Sequence, residues 1–89
     1  MGKRFELEPE KKEIFEKRKE QIIKTIEYAV KRDGRTKEEI SLEAGLSGMA
    51  VAKIVGTRVE PSLRSLILIA EELGLEIVIQ EKEEPSGTK

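Results

Sequence analysis

The 89-residue chain has no cysteine and no histidine. Disulfides, thiol nucleophiles, zinc sites with Cys or His ligands and imidazole general-base chemistry are therefore excluded. Aromatic residues make up only 3%, so the core has to be built from Ile, Leu, Val and Ala. No apolar run approaches the roughly 20 residues of a membrane-spanning helix. The amino terminus is charged, unlike a signal peptide, and a cytoplasmic location away from membranes is expected. Neighbouring acids at Glu38, Glu39 and Glu43 read as ordinary helix surface rather than an acid/base pair. The expectation is that the chain is not an enzyme and uses no cofactor and no metal.

Charge is abundant and nearly balanced. Charged residues reach 39%, with 17 Lys+Arg against 18 Asp+Glu, for a net charge of -1. The distribution is uneven. Residues 1–35 carry 11 bases and 8 acids (+3), residues 36–74 carry 4 and 6 (-2), and residues 75–89 carry 2 and 4 (-2). The global balance offers no electrostatic argument for nucleic acid, so any such argument rests on where individual bases sit.

The length allows one small domain. Residues 1–9 show no period and end in Pro9, which reads as a flexible arm, with Pro9 also suited to the first turn of a helix. Residues 10–33 are helix-compatible, with an apolar stripe of Phe15, Ile22, Ile26, Ala29 and Val30. Glu13 with Lys17 and Glu20 with Lys24 support that helix at i,i+4, whereas Glu16 with Glu20 does not. Asp33-Gly34 stops it. Thr36-Lys37-Glu38-Glu39 is a capping box opening a second helix, which Gly45 ends. Ser47 is placed to cap a third helix running to about Val55, with Val51 and Ile54 inward. Ser62 caps a fourth helix after Pro61, with Leu66, Ile69, Ala70 and Leu73 on one face and Gly74 at its end. At Leu75 the period changes to two: Leu75, Ile77 and Ile79 alternate with Glu76, Val78 and Gln80, a strand with one apolar face. A lone strand leaves its backbone groups unpaired, and the simplest partner is the same strand of a second molecule. Residues 81–89 read as a disordered polar tail.

Residues 36–56 are the informative stretch. Two short helices pack through Ile40, Ala44, Leu46, Val51 and Ile54, with small residues at Ser41 and Ala44 where they cross. This is the geometry of a helix-turn-helix, which presents its second helix outward to a DNA major groove. The stretch resembles the Cro/repressor-type (XRE) helix-turn-helix family through Thr36, Ile40, Ala44-Gly45-Leu46-Ser47, Val51, Ile54, Gly56 and Pro61-Ser62. The likeness covers about residues 26–75. Ser41 stands where that family usually has Ala. The end of the domain also resembles antitoxin-type regulators, in which a strand after the last helix pairs across a dimer.

The resemblance implies an all-α, lambda-repressor-like bundle of four to five helices over residues 10–74, with a dimerising strand at residues 75–80. Thr36 and Lys37 would then meet phosphate at the start of the second helix. Ser47, Gly48, Met49, Ala52 and Lys53 would face the groove, and Thr57, Arg58 and Arg64 would clamp phosphates beside it. Lys53 is the one strong donor for a guanine edge, while Met49 or Ala52 suits a thymine methyl. With so few donors, readout is expected to lean on methyl contacts and DNA shape. Leu75, Ile77, Val78 and Ile79 would carry dimerisation. The expected function is sequence-specific binding of double-stranded DNA by a homodimer, as a repressor-like regulator on a palindromic operator. Two alternatives stand beside it: an antitoxin-like repressor that also binds a toxin protein, and a helix-turn-helix protein-interaction module without DNA binding. Thr36, Ser47 and Ser62 are equally accounted for as helix caps, each stabilising by about 1 kcal/mol.

Overall fold

In the computed structural model, residues 8–57 and 59–82 are described. Arg58, the side chain of Thr57, residues 1–7 of the expected arm and residues 83–89 of the expected tail lie outside them. The described chain is helical, and none of its helices is long and apolar enough to cross a membrane.

Pro9 opens α1 (Pro9–Asp33), where its missing N–H has no intrahelical partner to lose. The last residue of the expected arm is thus the first residue of the helix. The buried face of α1 is Ile23, Ile26, Ala29 and Val30. This corrects the predicted stripe at its second member: Ile22 is 44% exposed, whereas Ile23 is 1% exposed. Ile22 and Ile23 both fit helical spacing to Ile26, Ala29 and Val30, so period alone cannot choose between them. The choice is made by the later helices, which cover only the carboxy-terminal half of α1. Phe15, beyond that cover, is only half-buried, and the Lys19 ammonium lies 5.2 Å from its ring centre.

The capping box of α2 (Lys37–Glu43) is formed as expected. The Glu39 N–H donates to Thr36 Oγ1 at 3.0 Å, and the Thr36 N–H donates to Glu39 Oε1 at 2.8 Å. After Ala44, Gly45 takes φ +88°. The Leu46 N–H then reaches the Ser41 carbonyl and the Gly45 N–H the Leu42 carbonyl, both at 3.0 Å. That pair of bonds is a Schellman motif, and it turns Leu46 back onto the core.

The third helix departs from expectation. α3 spans only Ala50–Ala52 and continues as a single π-helical turn over Lys53–Thr57. Its cap position falls to Met49, which supplies no side-chain cap, and Ser47 contributes its backbone carbonyl to the Ala50 N–H at 3.1 Å. The predicted Ser47 cap is therefore displaced by a tight turn through residues 47–50. The widened turn carries both Ile54 and Val55 into the core, where only Ile54 was anticipated.

α4 (Leu63–Glu72) is capped by Ser62, whose Oγ accepts the Ser65 N–H at 3.0 Å. It ends as α2 does. Gly74 takes φ +78°, the Leu75 N–H donates to the Ala70 carbonyl at 2.8 Å, and the Gly74 N–H to the Glu71 carbonyl at 3.1 Å. Leu75 is thereby packed against the core. Beyond it, residues 76–80 form no strand ladder among the described residues. The core itself is aliphatic: Ile23, Ile26, Val30, Ile40, Val51, Ile54, Val55 and Ile69.

One charged group ties three helix ends together. Arg35 donates from Nε to Asp33 at 2.7 Å, and from Nη1 to Glu72 at 2.8 Å and to Glu43. Its Nη2 also donates to the Glu72 backbone carbonyl at 3.2 Å, where α4 has a carbonyl without a helical partner. The hydrogen bond from Arg35 holds the Asp33 carboxyl below its ordinary value. The Asp33 and Glu72 carboxylates in turn hold the Arg35 guanidinium firmly protonated.

Candidate nucleic-acid interface

α2 and the α3 turn are joined by a buried hydroxyl. Ser41 is fully buried and uses both of its hydrogen-bonding capacities. Its Oγ donates to the Lys37 carbonyl at 2.8 Å and accepts the Val51 N–H at 2.9 Å. The Val51 amide is one of the orphan donors at the start of a helix, which a side chain normally satisfies from the cap position. Here the cap comes from the preceding helix. The residue that departs from the resembled family is the one that supplies it.

This latch orients the turn. Val51, Ile54 and Val55 point into the core, while Met49 (58% exposed) and Lys53 face outward. Ser47 is exposed, and Gly48 and Ala52 are half-exposed. Thr36 and Lys37 are exposed at the start of α2, and Arg64 is exposed in the first turn of α4. Lys37 shares a surface depression with Thr36, Gly56 and Lys31. Lys31, in the last turn of α1, was not anticipated. Nothing in the sequence spacing links it to Lys37, because the Gly34 turn between them sets their approach.

A second unanticipated group is Glu38. A Cβ built on Gly48 would lie 3.2 Å from Glu38 Cγ and 3.4 Å from Glu38 Oε2, so this carboxylate rests directly over Gly48. It places a negative charge at the entrance to the α3 turn, beside Met49. The ten-residue separation between Glu38 and Gly48, across a helix end and a turn, hid this contact from the sequence. Among the described residues, no group of three or more acidic side chains is arranged to hold a metal ion.

Comparison with known proteins returns no matching family model, no similar curated protein and no similar solved structure.

Proposed function

We propose that the chain is a repressor-like, XRE-type regulator that binds double-stranded DNA as a homodimer on a palindromic site. The observation that carries this reading is the Ser41 latch, which fixes the α3 turn on α2 with Met49 and Lys53 outward. In this reading the turn enters the major groove. Lys53 addresses a guanine edge and Met49 a thymine methyl. Lys37 and Arg64 hold phosphates, with Lys31 added from the depression shared with Lys37. Thr36, Ser47, Gly48, Ala52, Thr57 and Arg58 complete the proposed contact surface. Residues 75–80 pair two copies, spacing the half-sites by about 34 Å.

Selection from a randomised duplex library at physiological salt tests the proposal. Enrichment of an inverted repeat, lost on Lys53→Glu, is the expected outcome. Failure to retain DNA even at low salt overturns it.

A second reading is favoured by Glu38, whose carboxylate over Gly48 opposes phosphate approach at that point. Leu42 is 56% exposed and Met49 58% exposed, which suits a protein partner. An antitoxin-like role, or a purely protein-binding module, then takes the same surface. Protein capture that survives Lys53→Glu while no DNA is retained supports that reading.

A further inference from the structure

The amino-terminal half of α1 overhangs the core. Its first buried residue is Ile23, fourteen positions after Pro9, which leaves about 20 Å of helix without core packing. That half nevertheless carries Ile14, 59% exposed, and Ile22, 44% exposed. A helix segment of this length is marginal in water by its own hydrogen bonds. Where that half meets the packed half, an apolar groove of about 330 Å³ runs between the middle of α1, α4 and the chain after α4, with Ile22, Ile26, Leu66, Leu75, Ile77 and Val78 among its lining residues. The chain leaving the groove ends in Ile79, which is 96% exposed. Among the described residues, no backbone hydrogen bond reaches residues 76–80.

We infer that a second copy of the chain covers this face, with the two strands antiparallel about a two-fold axis at Ile77 and each Ile79 seated in the partner's groove. The inference rests on the dimer in the reading above and adds its register and its docking surface.

The register follows from the end of α4. The Schellman motif at Gly74 sends Leu75 into the core, and once the chain after it is extended in the paired strand, Ile77 and Ile79 fall on the same side as Leu75. Directly opposed residues of an antiparallel pair share a face. Only pairings that match odd-numbered residues with odd-numbered ones keep Leu75, Ile77 and Ile79 together. A one-residue slip would set them against Glu76, Val78 and Gln80. Centring on Ile77 opposes Ile79 to Leu75 at both ends and Ile77 to itself. Centring on Val78 instead sets Leu75 against Glu81. Centring on Glu76 sets Ile79 against Leu73, which is occupied at the end of α4. With Ile79 beside the partner's Leu75, its side chain lies at the mouth of the partner's groove, next to Ile22.

Charge favours the same occupant. Residues 9–33 carry eight bases against six acids (+2), whereas residues 75–82 carry Lys82 against Glu76 and Glu81 (-1). Two-fold pairing brings the acidic segment of each copy across to the basic helix of the other, which suits a second copy of this chain.

The absence of cysteine makes single-cysteine cross-linking clean. Opposed residues in an antiparallel pair have Cα atoms about 4.5–5.5 Å apart, within the span of a disulfide. On mild oxidation, Ile77→Cys should form a covalent dimer, and Val78→Cys should link to Glu76→Cys in a mixture but not to itself. Ile79→Glu should weaken the dimer at least about tenfold, with an unchanged circular dichroism spectrum because Ile79 contributes nothing to the single chain. Ile22→Glu should weaken it comparably, and the double variant less than the product of the two. Preferential self-linking of Val78→Cys overturns the register. A dimer in sedimentation that none of these cysteines links, and that tolerates Ile79→Glu, overturns the docking surface while leaving the dimer standing. A monomer at micromolar concentration removes the dimer itself. DNA selection, read separately, is not needed to decide any of the three.

Discussion

Replacing Ser41 by Ala removes one oxygen from a fully buried site and leaves the Val51 N–H without its acceptor. An unsatisfied buried donor costs about 1–3 kcal/mol. The Lys37 carbonyl loses only a second, side-chain donor, so no orphan acceptor is created there. Ala gains up to about 0.5 kcal/mol over Ser in helix propensity. The balance is a destabilisation of about 0.5–2.5 kcal/mol, which lowers the melting temperature by about 2–20 °C for a domain of this size. Thermal unfolding followed by circular dichroism at a fixed protomer concentration measures it, since a dimer's stability depends on concentration. Ser47→Ala is the matched control. Ser47 is exposed and its carbonyl, not its side chain, meets Ala50, so a change within about 0.5 kcal/mol is expected. Amide exchange adds a local signature, with the Val51 N–H losing protection beyond the global change. Equal melting temperatures for the two variants, with Val51 protection intact, would refute the latch.

Four further outcomes follow from the same structure. The Asp33 carboxyl is held below its ordinary value of 3.8 by its hydrogen bond from Arg35, so its contribution is present above that value and is lost as pH falls through the lowered one. Acid unfolding as pH falls below about 4 should therefore be shallower in Asp33→Asn than in the parent chain; identical acid profiles sink the argument. Gly74→Ala forces an L side chain to φ +78° with no steric neighbour to relieve, and should destabilise by about 1–2 kcal/mol in urea titration. Glu38→Gln should strengthen DNA binding severalfold by removing the carboxylate over Gly48, and unchanged or weaker binding counts against a groove-facing α3 turn. If Lys37→Ala removes one phosphate contact per protomer, the log-log salt slope of the dimer, expected at about -4 to -7, becomes shallower by about 2.

The two interfaces separate in these tests. On the proposed reading, variants of the α3 turn should alter DNA retention without touching the face of α1 and α4, and variants of that face should alter assembly. Dimer loss should still be felt at a palindromic site, because a monomer would engage one half-site only. Double variants across the two regions should otherwise combine additively in stability, as expected for sites that share no partners.

What the sequence determined by itself is local. Thr36 and Ser62 are caps because each hydroxyl meets an amide three residues on, and the spacing survives any tertiary arrangement. Gly45 and Gly74 mark helix ends because their positive φ is a property of one residue. The inward sets Ile40, Val51, Ile54, Ile69 and Ala70 follow from period alone. Tertiary structure decided the rest. It chose Ile23 over Ile22, since both fit one helical stripe and only the packed helices say which side of α1 is covered. It shortened α3, replaced the Ser47 cap with the Ser41 hydroxyl, ten residues before the Val51 amide it meets, and brought Val55 into the core. It brought Glu43 and Glu72 onto Arg35, the latter across 37 residues. Contacts within one helical turn are encoded by spacing, whereas contacts between helices exist only once the chain has closed the loops between them, and no local pattern records which side chains then meet.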